Sequence, residues 1–383
     1  MRTVLLRTVL PSALIFGMAL VVLVGCDRKP PKPKDPQPFV FRSLNLRQQD
    51  GKGRPAWELT SPQARYDLQR RVARATEPRG VIYAAGKPRY KVQATSGLVI
   101  NDGEVIQLEG KVLIQLLGPR GSLISGDRVR WTPSKHLMEI DRKPVFTERK
   151  SRLSSSTARF LLDKEKLELR GPTRLQQPEL DLRVSRADWM ANTGALVAAG
   201  PVKGERRPAG EKGNVQTVTG SSLEGNTREE VLDLLAPVRF VDPSRKAVLE
   251  AQRTRWNAKE KVLSTDLPFT GVADQTHVAG DSLRMILGDT MAIIPNGCRL
   301  RQPGERLQAR ECRWNWGRQE IEALGGVQLE RDQNQQITRS ERLVGKVGAK
   351  GLAEFTTPGG RVFSELKVPP PSKERRQPAP VTF

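Results

Sequence analysis

One six-residue phrase, repeated at nearly even spacing, constrains this chain more than any other feature. A small residue is followed by two polar ones, an apolar one, an Arg or an acid, and then usually an aromatic. It reads SPQARY at 61–66, GDRVRW at 126–131, SSTARF at 155–160, AQRTRW at 251–256, GDSLRM at 280–285 and ARECRW at 309–314. Weaker copies end at Val99, Trp189, Gly225 and Gly345, and successive anchors lie 29 to 36 residues apart. Self-similarity at a period of this size marks stacked units, none able to bury its apolar face alone.

A second element follows each anchor, an alternating apolar run through a small or turn-forming residue: VIQLEGKV at 105–112, LELRGPT at 167–173, LVAAGPV at 196–202, LDLLAPV at 232–238 and IEALGGV at 321–327. Both elements have the period of two that belongs to half-buried strands. Val129 and Trp131 leave one face while Arg128 and Arg130 leave the other, and Ile106, Leu108, Val112 and Ile114 oppose Gln107, Glu109 and Gln115. Turn residues at 101–103, 132–134 and 302–305 separate the runs. The expected fold is all-β: about ten units of two strands, some twenty antiparallel strands in an elongated, rolled stack. A row of separate sandwiches would not keep one register of anchors, and propeller blades are longer and carry four strands each.

The 383 residues carry a net charge of +22, which favours anionic partners: nucleic acid, a membrane surface or a phosphorylated ligand. Nucleic-acid binding would want exposed aromatics among the basic residues, whereas here the aromatics recur on the apolar face. No cofactor is expected. His136 and His277 have no Cys or His at metal-ligand spacing, and no nucleophile elbow, phosphate loop or dinucleotide fingerprint is present. The chain reads as a non-enzyme.

Residues 1–26 form an export signal or membrane anchor, with Arg2 and Arg7 ahead of an apolar run that ends in Leu23-Val-Gly-Cys26. That ending resembles the lipobox of bacterial lipoproteins, which makes Cys26 the lipidation candidate; an uncleaved spanning helix is the alternative. Residues 27–38, rich in Pro and Lys, read as a spacer reaching about 35 Å if fully extended in polyproline form. The charged stretch 206–219 reads as a flexible loop dividing a β half at 39–205 from another at 220–366, and 367–383 as a tail without apolar pattern.

After the spacer come FVFRSLNL at 39–46, an acidic-Gly turn at Asp50 and Gly51, then Trp57-x-Leu59 and Ala64-x-Tyr66. Together with the anchored start these resemble the LptC family of lipopolysaccharide-transport proteins, in a form about twice the compact length and similar to the extended, cyanobacterial members. The downstream units are similar to OstA-like repeats. The resemblance implies a V-shaped, rolled sheet on the periplasmic side of the inner membrane, holding a glycolipid such as lipopolysaccharide by its acyl chains. It further implies an inner-membrane ABC transporter as donor and strand addition to a periplasmic bridge protein or to the N-terminal domain of the outer-membrane translocon. No nucleic acid enters the scheme.

The alternation names the expected lining of such a groove: Leu108, Val112, Val129, Trp131, Leu169, Trp189, Leu234, Val238, Trp256, Trp314 and Val327. A filled interior, in a scaffold without cargo, is the competing role for them. Arg128, Arg130, Arg255 and Arg313 fall on outward positions, as rim contacts to a head group or as solvated charge. Cys298 and Cys312 are centred on the turn at 302–305, so a simple hairpin sets them nearly opposite, as a disulfide or as two buried thiols.

Overall fold

The structure, a computed structural model, describes residues 39–118, 121–210, 213–346 and 353–367. These hold 34 β-strands and four short 3-10 turns, with no α-helix among the described residues. The pairings are antiparallel throughout.

Two hydrogen-bonded ladders run side by side. The first wall starts at Phe39–Phe41 and continues through Gln63–Asp67, Val72–Thr76 and Ser96–Ile100. The second starts at Leu44–Gln49 and continues through Pro55–Ser61, Arg79–Ala84 and Lys87–Gln93. The chain crosses one wall, bends, crosses the other, turns at its tip and returns, so each crossing is a bent rung.

The bends explain why there are more strands than the repeat count suggests. Thirteen rungs break in two at the bend and eight run through it, so the 34 strands make 21 rungs. Pro62, Pro78, Pro144, Pro201, Pro268 and Pro295 sit in the breaks, where a residue without an N–H does least harm to a ladder. The unbroken rungs come in four pairs: Val105–Leu116 with Leu123–Thr132, Lys166–Gln176 with Leu180–Met190, Val231–Asp242 with Ala247–Asn257, and Glu320–Arg331 with Gln336–Lys346. Each pair slips its register near the bend, at Gly110, Gly171-Pro172, Ala236-Pro237 and Gly325-Gly326. Such bulges turn a strand without ending it. Gly110 shows the requirement: its φ is +73° and a Cβ there would meet Thr95 at 2.9 Å.

The ten anchors fall on one lateral line of the first wall. From Tyr66 the line passes through Val99, Trp131, Phe160, Trp189, Gly225, Trp256, Met285 and Trp314 to Gly345, with one intervening rung between each. One repeat is thus one rung out and one rung back.

The stretch 206–219, expected as a dividing loop, does not interrupt the ladder, because its ends at Arg206 and Gln216 pair with each other. Val202–Arg206 pairs with Gln216–Gly220 from Val202↔Gly220 to Arg206↔Gln216. Alternating burial in Gln216–Gly220 supplies the reason, since Gln216 and Val218 face inward and add to the interior. A continuous apolar interior runs from Trp57 to Leu263, and a second cluster from Phe269 to Leu343.

Candidate functional site

Up to about residue 235 the two walls meet face to face. Trp57 of the second wall packs edge-on to Trp131 of the first at 5.6 Å, Tyr90 to Phe160 at 5.3 Å, and Phe146 lies 4.0 Å from Trp189. Pairs of large side chains from both sides fill the space, as close-packed interiors require. Burial, helped by the nearby Glu165 carboxylate, pushes the Tyr90 hydroxyl up to about 12.

The tips of this half are tied across the mouth. Arg89 Nε donates to Glu165 Oε1 at 2.7 Å. Glu148, fully buried, accepts from Ser122 Oγ at 2.8 Å, from Thr227 Oγ1 and from Arg228 Nε at 3.4 Å. Arg149 donates to the Arg228 carbonyl at 3.0 Å, while Arg228 itself donates to the carbonyls of Ala191 and Asn192. Among the described residues the ties stop at Lys261 and Glu179, 3.4 Å apart.

Beyond that pair the walls part around a trough of about 1300 Å³. Its sides carry Leu249, Leu263, Phe269, Val278, Leu283, Met285, Ile294, Leu300, Leu307, Trp314, Ile321 and Leu329. Small residues on the same lateral lines leave the room: Gly271 lies between Leu249 and Val278 on the second wall, and Ala292 lies between Met285 and Trp314 on the first. The two lips differ. Inward positions at the second wall's tips are polar, with Arg206, Gln216, Asp242, Thr276, Gln302, Glu305 and Arg331, whereas the first wall's tips mix Leu287 and Trp316 with Lys261, Gln319 and Lys346.

The expected lining therefore divides. Leu108, Val112, Val129, Trp131, Leu169, Trp189, Leu234 and Val238 lie in the filled interior, none more than 3% exposed, because bulky partners on the opposite wall occupy the space before them. Val327 is buried in the second cluster beside the bend. Trp256 and Trp314 line the trough. Alternation along a strand tells inward from outward, but filling depends on what stands across the gap. The polar lip was missed altogether. Its signal was available, since Gln216, Gln302 and Glu305 share the inward parity of Val218, Leu300 and Leu307.

Cys298 and Cys312 form a disulfide. They are not opposite one another in a hairpin. Cys298 pairs with Ala309, the chain then bends at Arg310, and Cys312 lands in the first wall facing Ile294. The bond joins the two walls next to the bend, at the bottom of the trough.

Of the outward arginines, Arg128 is held by Asp141 at 2.8 Å, Arg255 by Asp233 at 2.8 Å and Arg313 by Glu311 at 2.6 Å, while Arg130 is exposed. Burial works to raise the Asp233 carboxyl, yet hydrogen bonds from Arg255 and Arg253 outweigh it and hold its pKa below the usual carboxylate range. Among the described residues no group of His, Cys, Asp and Glu could hold a metal, and no helix is long and apolar enough to cross a membrane. Cys26, the 27–38 spacer and the tail from 368 lie outside the described residues.

Among solved structures, the chain is similar to LptH from Pseudomonas aeruginosa, described as the LptA homologous periplasmic component of the conserved lipopolysaccharide transport device. Identity is 15%, covering 30% of this chain and 79% of that one, with a TM-score of 0.26. No curated protein matches the chain. Residues 13–177 match the family model described as lipopolysaccharide-assembly, LptC-related. Over those residues the chain is similar to the LptC-related family.

Proposed function

We propose that this chain is a periplasmic component of lipopolysaccharide transport that holds a glycolipid by its acyl chains in the trough walled by residues 240–346 and bounded at its inner end by the tips at Glu179, Arg206 and Gln216. The observation that carries the reading is the trough itself: an apolar floor, open along its mouth, in a chain that is LptC-related over 13–177. Each methylene taken from water into such a floor is worth about 0.8 kcal/mol. A chain sliding from Met285 toward Trp314 exchanges one apolar surface for another. Lateral movement is then easy while escape into water is costly.

The filled half, 57–235, takes the other part of the work as a rigid pillar; its packed interior favours a scaffold role for that half alone. In this scheme Cys26 or the apolar segment before it tethers the chain to the inner membrane. An ABC transporter loads the glycolipid, and the end strands, whose outer edges have no partner among the described residues, accept a neighbour's strand from the next bridge protein. The chain itself performs no chemistry.

Photocrosslinking amino acids placed at Leu300 and Trp314, and separately at Trp131 and Trp189, test this in cells that export glycolipid. Glycolipid adducts are expected at the first pair and not at the second. Adducts at neither pair would remove the cargo from the scheme.

A further inference from the structure

The second wall's lip is more than a polar edge, because its side chains are bonded into runs. At the inner end, the Arg206 guanidinium donates to Gln216 Oε1 at 2.7 Å and to Glu179 Oε2 at 2.6 Å. Gln216 Nε2 in turn donates to Asp242 Oδ2 at 2.7 Å, which Arg245 Nη1 also reaches at 2.7 Å. Further along, Gln302 Nε2 donates to Glu305 Oε2 at 2.6 Å and Arg331 Nε to Glu305 Oε1 at 2.8 Å. Each of these three guanidiniums is already faced by a carboxylate. A phosphate entering here would meet neutralised cations and repelling carboxylates. A sugar hydroxyl would meet what it needs, a fixed acceptor beside a fixed donor, at repeated intervals.

On the reading of the trough as a glycolipid site, we propose that the lip formed by Gln302, Glu305 and Arg331 is a subsite for the sugar hydroxyls of the head group, and that it selects uncharged sugar over phosphate. The acyl chains lie on the floor below, from Leu300 and Leu307 to Trp314. Specificity then comes from matching hydrogen bonds, which discriminate more sharply than apolar contact.

Two probes with the same alkyl chain separate the roles of floor and lip. The full chain is titrated with dodecyl maltoside and with dodecyl phosphate, both below their micelle concentrations, and binding is read by calorimetry and by tryptophan emission. The maltoside is expected to bind at least ten-fold more tightly. Glu305→Gln, which removes the carboxylate from Arg331, is expected to cut that preference to three-fold or less by strengthening phosphate binding. Equal or tighter binding of the phosphate to the unmodified chain overturns the sugar subsite and leaves the trough standing. A Glu305→Gln protein with unchanged preference overturns it too. Binding of neither probe removes the trough as a lipid site, and the subsite with it.

Discussion

The rungs before residue 235 and those after 240 share one backbone plan and differ in what they enclose. In the first region Phe146 meets Trp189 and Tyr90 meets Phe160, and the tips are tied by Arg89 with Glu165 and by Glu148 with Thr227 and Arg228. In the second, Gly271 and Ala292 add little bulk to the walls, and past Lys261 no tie crosses the mouth among the described residues. A repeat therefore specifies a bent sheet but not its contents. Side-chain volume and a few polar ties at the tips decide between core and container. The described part of the LptC-related match, from residue 39 to 177, lies on the filled side of that divide.

The comparison breaks most readily at its largest contrast. Trp189→Ala should destabilise the protein by about 3–5 kcal/mol, since it opens a cavity in a filled interior. Trp314→Ala, on a wall already facing open space, should lose about 1 kcal/mol. Urea unfolding of both variants checks this, and equal losses would mean that the two regions are packed alike.

A somewhat smaller effect is expected at the mouth. Arg228→Met leaves the Glu148 carboxylate fully buried with only Ser122 and Thr227, a loss of about 3 kcal/mol for breaking a buried pair. Hydrogen exchange should then rise first at the tips near Glu148, while the trough rungs hold their protection. Faster exchange confined to the trough instead would refute the assignment of this tie to the filled half.

The smallest effect belongs to Asp233, which sits on the outer face where the two regions join. Its folded pKa is depressed, so its stabilisation is complete above the unfolded value near 4 and is lost as pH falls through the lower folded value. Below about pH 4 the unmodified chain should lose stability more steeply than Asp233→Asn. Identical acid profiles would show that Arg253 and Arg255 contribute nothing through this carboxylate.

Much of the fold was legible because the anchors carry it. All ten fall on one lateral line, and the period-two alternation named the inward side chains correctly. The bend was hidden: a strand that turns at Gly110 or Ala236-Pro237 keeps its alternation, so one rung reads as one strand. The division into filled and open was hidden for another reason. It rests on pairs such as Phe146 with Trp189, 43 residues apart in sequence and on opposite walls, which a pattern local to one strand does not contain. The cysteines misled in the same way, since symmetry about a turn places Cys298 opposite Cys312 only if the chain does not bend at Arg310. The lip was passed over because inward polar residues at strand ends look like turn residues.

The six tryptophans allow the division to be read directly. Trp57, Trp131 and Trp189 belong to the filled region, and Trp256, Trp314 and Trp316 line the trough. A glycolipid with brominated acyl chains quenches indole emission on contact, so it should quench part of the emission of the unmodified chain. It should quench almost none once Trp256, Trp314 and Trp316 are all replaced by Phe. Quenching that survives the triple replacement would place acyl chains against Trp57, Trp131 or Trp189, and would contradict the division of one repeated rung into pillar and trough.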